Sequence, residues 1–110
     1  MGILVGVFSS EDQLNDALGG LFEHGVYETD VFLMRGEKAQ VPMPALPNIA
    51  RVEGDMADLR LTKEENERFR KLANDGNIIC FVFTESDQIQ AAMNILQIAD
   101  EMENLHPDDY

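Results

Sequence analysis

Four carboxylates are the first residues whose type and spacing could do chemistry. Glu11 and Asp12 lie in VFSSEDQLNDAL (7–18), while Glu85 and Asp87 lie in VFTESDQIQAAM (82–93), a near copy seventy-five positions downstream. If the two turns met, their oxygens could hold Mg²⁺ or Ca²⁺, which take carboxylate ligands. A strand-to-helix turn can also bind phosphate on free helix amides. Such loops are glycine-rich, however, and here acids already fill the first turns, so phosphate is disfavoured. The plainer chemistry is capping: Ser9 or Thr84 as N-cap, with Asp12 or Asp87 three residues later meeting exposed amides and the positive helix end. Capping is the preferred reading, a metal set of Glu11, Asp12, Glu85 and Asp87 is the alternative, and no cofactor is expected.

Other reactive types are sparse. Cys80 is the single cysteine, so it has no intramolecular disulfide partner, and it sits inside the apolar run IICFVF. Burial there would raise its pKa and make the thiol inert. His24 and His106 stand at no recognised metal spacing, and His24 reads as a cap or end charge at a helix C-terminus. There is no G-x-S-x-G, Walker loop or C-x-x-C. No catalytic set is expected.

Composition narrows the partners. A net charge of −13 over 110 residues opposes counterion release on a phosphate backbone, which argues against DNA and RNA. No window reaches the roughly 18 apolar residues of a membrane span. The opening MGILVGVF lacks a basic n-region and carries Gly6 where a myristoylation motif needs Ser or Thr. It reads as a buried strand, and a cytoplasmic chain without a membrane partner is expected. The charge is uneven: all eight Lys and Arg fall between Arg35 and Lys71, beside seven acids, and both ends are purely acidic. Such a mixed segment could dock on the acidic surface of a second copy.

The elements that would position these residues follow from periodicity. ILVGVF (3–8) suits a strand buried on both faces, and Leu14, Ala17, Leu18, Leu21 and Phe22 recur at helical spacing over 10–24, up to Gly25. Gly19 and Gly20 weaken that helix. TDVFLMR (29–35) is a strand. Residues 36–61 hold Pro42, Pro44 and Pro47, with short strands conceivable at 49–53 and 58–61. TKEE from Thr62 is a capping box, and Glu64/Arg68 and Glu67/Lys71 support a helix up to Gly76. IICFVF (78–83) is a second buried strand, a final helix spans about 85–105, and 106–110 is an acidic tail.

One domain over 1–110 is therefore expected: a βαβ half (1–35), a Pro-containing loop (36–61), an αβα half (62–105) and the tail. The repeat matches Val7/Val82, Phe8/Phe83, Asp12/Asp87, Gln13/Gln88, Ala17/Ala92 and Leu21/Leu96. The fold class is an α/β (α+β) sandwich, ferredoxin-like βαβ-αβα with an internal pseudo-repeat. The alternative is a three-stranded parallel sheet of order 2-1-3 with helices on its faces. In the first, the two central strands run antiparallel and the acidic turns lie at opposite ends; in the second they share one end.

The final helix carries two apolar stripes. Ile89, Ala92, Met93, Leu96 and Ala99 form one; Ile95, Ile98, Met102 and Leu105 form another nearly opposite. A helix on a sheet buries one face, so the second stripe either tucks under the Pro-containing loop or is the interface of a homo-oligomer, a dimer being expected. Pro44 and Pro47 also form a P-x-x-P, a short and common motif.

The stretches VGVFSSEDQLNDALGGLFEHGVYETDVFLM and TKEENERFRKLANDGNIICFVFTESDQIQAAMNIL, spanning roughly 3–35 and 62–96, resemble the small bacterial general stress proteins of the heat-induced YflT type. The resemblance implies a small cytoplasmic stress-associated or regulatory protein, non-enzymatic, acting through self-association or protein binding. No functional residue is carried over. A small-ligand or divalent-cation module is the alternative.

Overall fold

A computed structural model describes residues 2–27, 30–35, 50–51, 62–85 and 87–105. In chain order these form β1 (Gly2–Phe8), α1 (Glu11–Glu23), β2 (Val31–Arg35), β3 (Ala50–Arg51), α2 (Lys63–Asn74), β4 (Ile78–Thr84), α3 (Ile89–Leu96) and β5 (Glu101–Leu105). Both α1 and α2 end two residues before a glycine with positive φ, Gly25 at 89° and Gly76 at 108°, a backbone conformation that L side chains rarely adopt. Thr62 and Glu65 close the capping box that TKEE predicts, with the Glu65 amide donating to Thr62 Oγ1 at 3.1 Å and the Thr62 amide donating to Glu65 Oε1 at 2.9 Å. Of the short strands conceivable at 49–53 and 58–61, residues 50–51 form β3. The rest, with the Pro-containing loop, P-x-x-P, His106 and the acidic tail, lies outside the described residues.

The sheet has the order β3-β2-β4-β1-β5. Four strands pair antiparallel, β2 with β4, β4 with β1 and β1 with β5, and only the two-residue β3 runs parallel to its neighbour. The three-stranded parallel alternative is thereby overturned. Its premise was that β1 and β4 point the same way. In the register Gly2 lies opposite Thr84 and Phe8 opposite Ile78, so they point in opposite directions.

The final helix also differs from expectation. It ends at Leu96, the chain turns through 97–100, the Asp100 amide donates to Val7 O at 2.9 Å, and β5 begins. Residues 101–105 carry side chains that would also suit a helix, but the open edge of β1 offers a ladder, and pairing with it overrides local propensity.

The sheet separates two apolar cores. On one face Leu4, Phe8, Val31, Leu33, Ile78 and Val82 meet Leu14, Ala17, Leu18 and Leu21 of α1 and Ala92 and Leu96 of α3. On the other face Ile3, Val5, Val7, Met34, Ile79, Phe81 and Leu105 meet Phe69 and Ala73 of α2. Phe69 and Phe81 stand edge to face at 5.4 Å and 88°, the geometry that ring quadrupoles favour. Burial on both faces explains why β1 and β4 read as continuous apolar runs. The helices α1 and α3 meet where Gly20 faces Ile95: a Cβ on Gly20 would lie 3.1 Å from Ile95 Cγ2. The glycine that weakens α1 is what admits α3.

Candidate functional site

The two acidic turns do not come together. Glu11 and Asp12 follow the Phe8 end of β1, and Glu85 and Asp87 follow the Thr84 end of β4, which is the other end of the sheet. A seven-residue strand at about 3.3 Å per residue keeps them on the order of 20 Å apart. Among the described residues no group of three or more His, Cys, Asp or Glu side chains is placed to hold a metal ion.

Capping holds in the first turn with a shift of one residue. Ser10, not Ser9, is the N-cap of α1, its Oγ accepting from the Gln13 amide at 3.2 Å, while Glu11 and Asp12 sit in the first turn near the positive helix end. In the second turn the expected cap is absent. The ladder with Gly2 extends β4 through Thr84, so its hydroxyl is 1% exposed inside the core with no hydrogen-bond partner, and Gln88 precedes α3 without a side-chain cap. The Gln88 side chain accepts instead from the Glu85 amide at 3.4 Å.

The repeated glutamines have a role that their identity alone did not disclose. Gln13 Nε2 donates to Ile98 O at 3.1 Å and to Asp100 Oδ1 at 3.3 Å, and Gln88 Nε2 donates to Gly25 O at 3.2 Å. Each turn thus clasps the connection that leaves the other half's helix. The exchange is reciprocal and structural.

Cys80 lies wholly buried on β4, and burial pushes its thiol up to about 12 from an ordinary 9.0, so it is not a thiolate near neutral pH. His24 caps α1, its Nδ1 standing 2.9 Å from Gly20 O. The proposed interface residues do not share a surface. Ile95 is packed against Gly20, Met102 lies against the core beneath α1 and α3, Leu105 is 2% exposed in the core beneath α2, and Ile98 alone is exposed, at 42%. The stripe was a property of a continuous helix, and the strand places Met102 and Leu105 on opposite faces of the sheet.

A different feature has the form of a site. The helix α2 lies over β4 and β2, and between it and β5 a groove of about 370 Å³ remains. Val5 and Val7 form its floor, Phe69 and Leu72 one wall, and Glu101 and Glu103 the other. Arg68 crosses it, stacked 4.7 Å from the Phe69 ring centre and joined to Glu103 Oε2 at 2.6 Å. Both partners of this ion pair are about half exposed, so it contributes only ~0–1 kcal/mol and can be exchanged for another at little cost. The volume is at the small end of ligand sites, and an apolar floor with few charged groups at the rim suits binding rather than bond-making. The sequence does not disclose Arg68, Glu101 and Glu103 as a group, because the periodicity of 89–105 predicts a helix there. The signal was there in Glu101-Met102-Glu103, which alternates with the period of a strand.

Compared with known proteins, the chain matches no family model, no curated protein and no solved structure. No helix among the described residues is long and apolar enough to cross a membrane.

Proposed function

We propose that the chain is a non-catalytic protein-binding module whose working surface is the edge strand β5 with the groove beside it. One observation carries the reading: among the described residues β5 pairs only with β1, so its outer edge has no strand partner there, and an apolar-floored groove lies on its inner side, between it and α2. An unpaired edge presents backbone donors and acceptors, and proteins that leave one open either guard it with charge or use it to bind an extended segment. In this reading β2-β4-β1-β5, with α1 and α3 on one face, is a ferredoxin-like arrangement to which α2 has been added on the other face. The stress-associated or regulatory role implied by the resemblance over 3–35 and 62–96 belongs to the same proposal.

Between self-association and binding of another protein, the charge on β5 favours another protein. Two β5 strands laid antiparallel would set glutamate against glutamate, each on a chain of net charge −13, and like charges directly opposite destabilise a pair. A displayed random-peptide library screened against the folded chain tests the reading. Enrichment of peptides that lose binding when Leu72→Trp fills the groove is the expected result. No enrichment above that on an unrelated acidic domain would overturn it.

A further inference from the structure

We infer that the occupant of this edge is an extended basic segment of another protein, added as a strand to β5, with Lys or Arg at alternate positions and apolar residues between them. The inference rests on the protein-binding reading above and specifies its partner. The alternation of β5 sets the pattern. Glu101 and Glu103 project on the α2 side, where their neighbours across the ladder are Val7 and Val5, and Met102 projects on the α1 and α3 side, against the core there. A strand hydrogen-bonded to the outer edge of β5 would have its own side chains in the same alternation. Those on the α2 side stand beside two carboxylates, and those on the other side stand beside a half-buried methionine. Opposite charge across a strand pair is favourable, so the first set is basic and the second apolar.

The two glutamates explain why long basic side chains fit better than a short cation. Lys and Arg carry methylene stems that cover apolar surface while the charged head stays at its rim. Val5, Val7 and Leu72 lie inward of Glu101 and Glu103, so an added strand would lay its stems along the glutamate methylenes and its charged heads on their carboxylates. Arg68 already shows the arrangement from the opposite wall, with its guanidinium on Glu103 and over the Phe69 ring. A neutral or acidic segment would gain the backbone bonds and lose the charge match.

The test is titration of the full chain with short synthetic peptides, read by backbone amide resonances and hydrogen exchange. A peptide alternating Lys and Val should protect amides within 101–105 and bind at least about tenfold tighter than one of the same composition with its lysines in a block. N-methylation of alternate peptide amides should abolish binding on one edge and not the other. Glu101→Gln with Glu103→Gln should weaken binding by about tenfold, and raised salt should weaken the wild type more than this variant. Equal binding of the block peptide, or indifference to N-methylation on either edge, would overturn strand addition. Equal binding of a peptide alternating Glu and Val would overturn the basic pattern while leaving protein binding at β5 intact. Protection of β5 by the chain's own concentration would make the occupant a second copy and overturn the inference. If no peptide of any pattern moves the β5 amides, the protein-binding reading itself fails.

Discussion

The two strand–turn–helix units, Val7–Leu21 and Val82–Leu96, share six identities over fifteen residues and are only half the same structure. Their helices correspond: Ala17 and Leu21 in α1, and Ala92 and Leu96 in α3, are all buried in one core. Their strands do not. Val7 faces α2 and Phe8 faces α1 and α3, while Val82 faces α1 and α3 and Phe83 packs on the α2 side. Side chains alternate with a period of two along a strand, so a one-residue difference in phase turns every residue over. The turns absorb that difference, with two residues between β1 and α1 and four between β4 and α3. Matched letters across a strand and a helix therefore carry different weight, because a helix face tolerates small angular drift and a strand face tolerates none.

The sharpest way to break the comparison is to truncate the two aligned phenylalanines. Phe8→Ala removes a ring that is wholly buried beneath α1 and α3 and should cost ~3–5 kcal/mol by urea unfolding. Phe83→Ala removes a half-buried ring that meets Phe32 edge to face at 5.3 Å, and should cost less than half as much. Equal losses would mean that the two strands are equivalent after all.

Next in size is the crossing of α1 and α3. Gly20→Val drives methyl groups into Ile95 and should destabilise by about 1–3 kcal/mol. Adding Ile95→Ala should recover a large part of that loss, so the pair is strongly non-additive. Gly19→Ala, where nothing lies within 4 Å, should instead gain about 0.5–1 kcal/mol from helix propensity. The neighbouring glycines are thus predicted to respond with opposite signs in thermal unfolding.

The turns separate by sign as well. Ser10→Ala removes the cap of α1 and should cost about 1 kcal/mol. Thr84→Val replaces an unpartnered buried hydroxyl with a methyl of the same shape, and should be neutral or stabilising by up to about 1 kcal/mol. The smallest effects belong to the glutamine clasps. Gln13→Ala and Gln88→Ala, whose bonds are exposed to solvent, should each cost about 0.5 kcal/mol, the low end for a hydrogen bond, and speed amide exchange at the connection the side chain holds, 98–100 for the first and 25–27 for the second.

Much of the fold was legible because its signals are local. The apolar runs of β1 and β4, the 3.6-residue spacing of α1, the Thr62 box and the glycines after α1 and α2 each act within a few residues of themselves. Residues 97–105 read as helix for the same reason, although 101–105 form a strand. Ile95, Ile98, Met102 and Leu105 keep helical spacing, and no Gly or Pro interrupts 89–105, so local signals extend the helix. What ends it is the free edge of β1, roughly a hundred residues earlier in the chain. The candidate groove was hidden with it, since it exists only when Glu101 and Glu103 stand on a strand beside α2.

By itself, the sequence determined which segments are apolar on both faces, where α1 and α2 start and stop, and that two turns are rich in acid. Only the tertiary structure decided that β1 and β4 run in opposite directions, which puts the acidic turns at opposite ends, and that 101–105 is a strand that among the described residues pairs only with β1. Element type follows from side chains a turn or two apart. Direction and pairing follow from which strand edges find each other, a choice made by contacts distant in the chain, and in this protein that choice makes the groove beside β5.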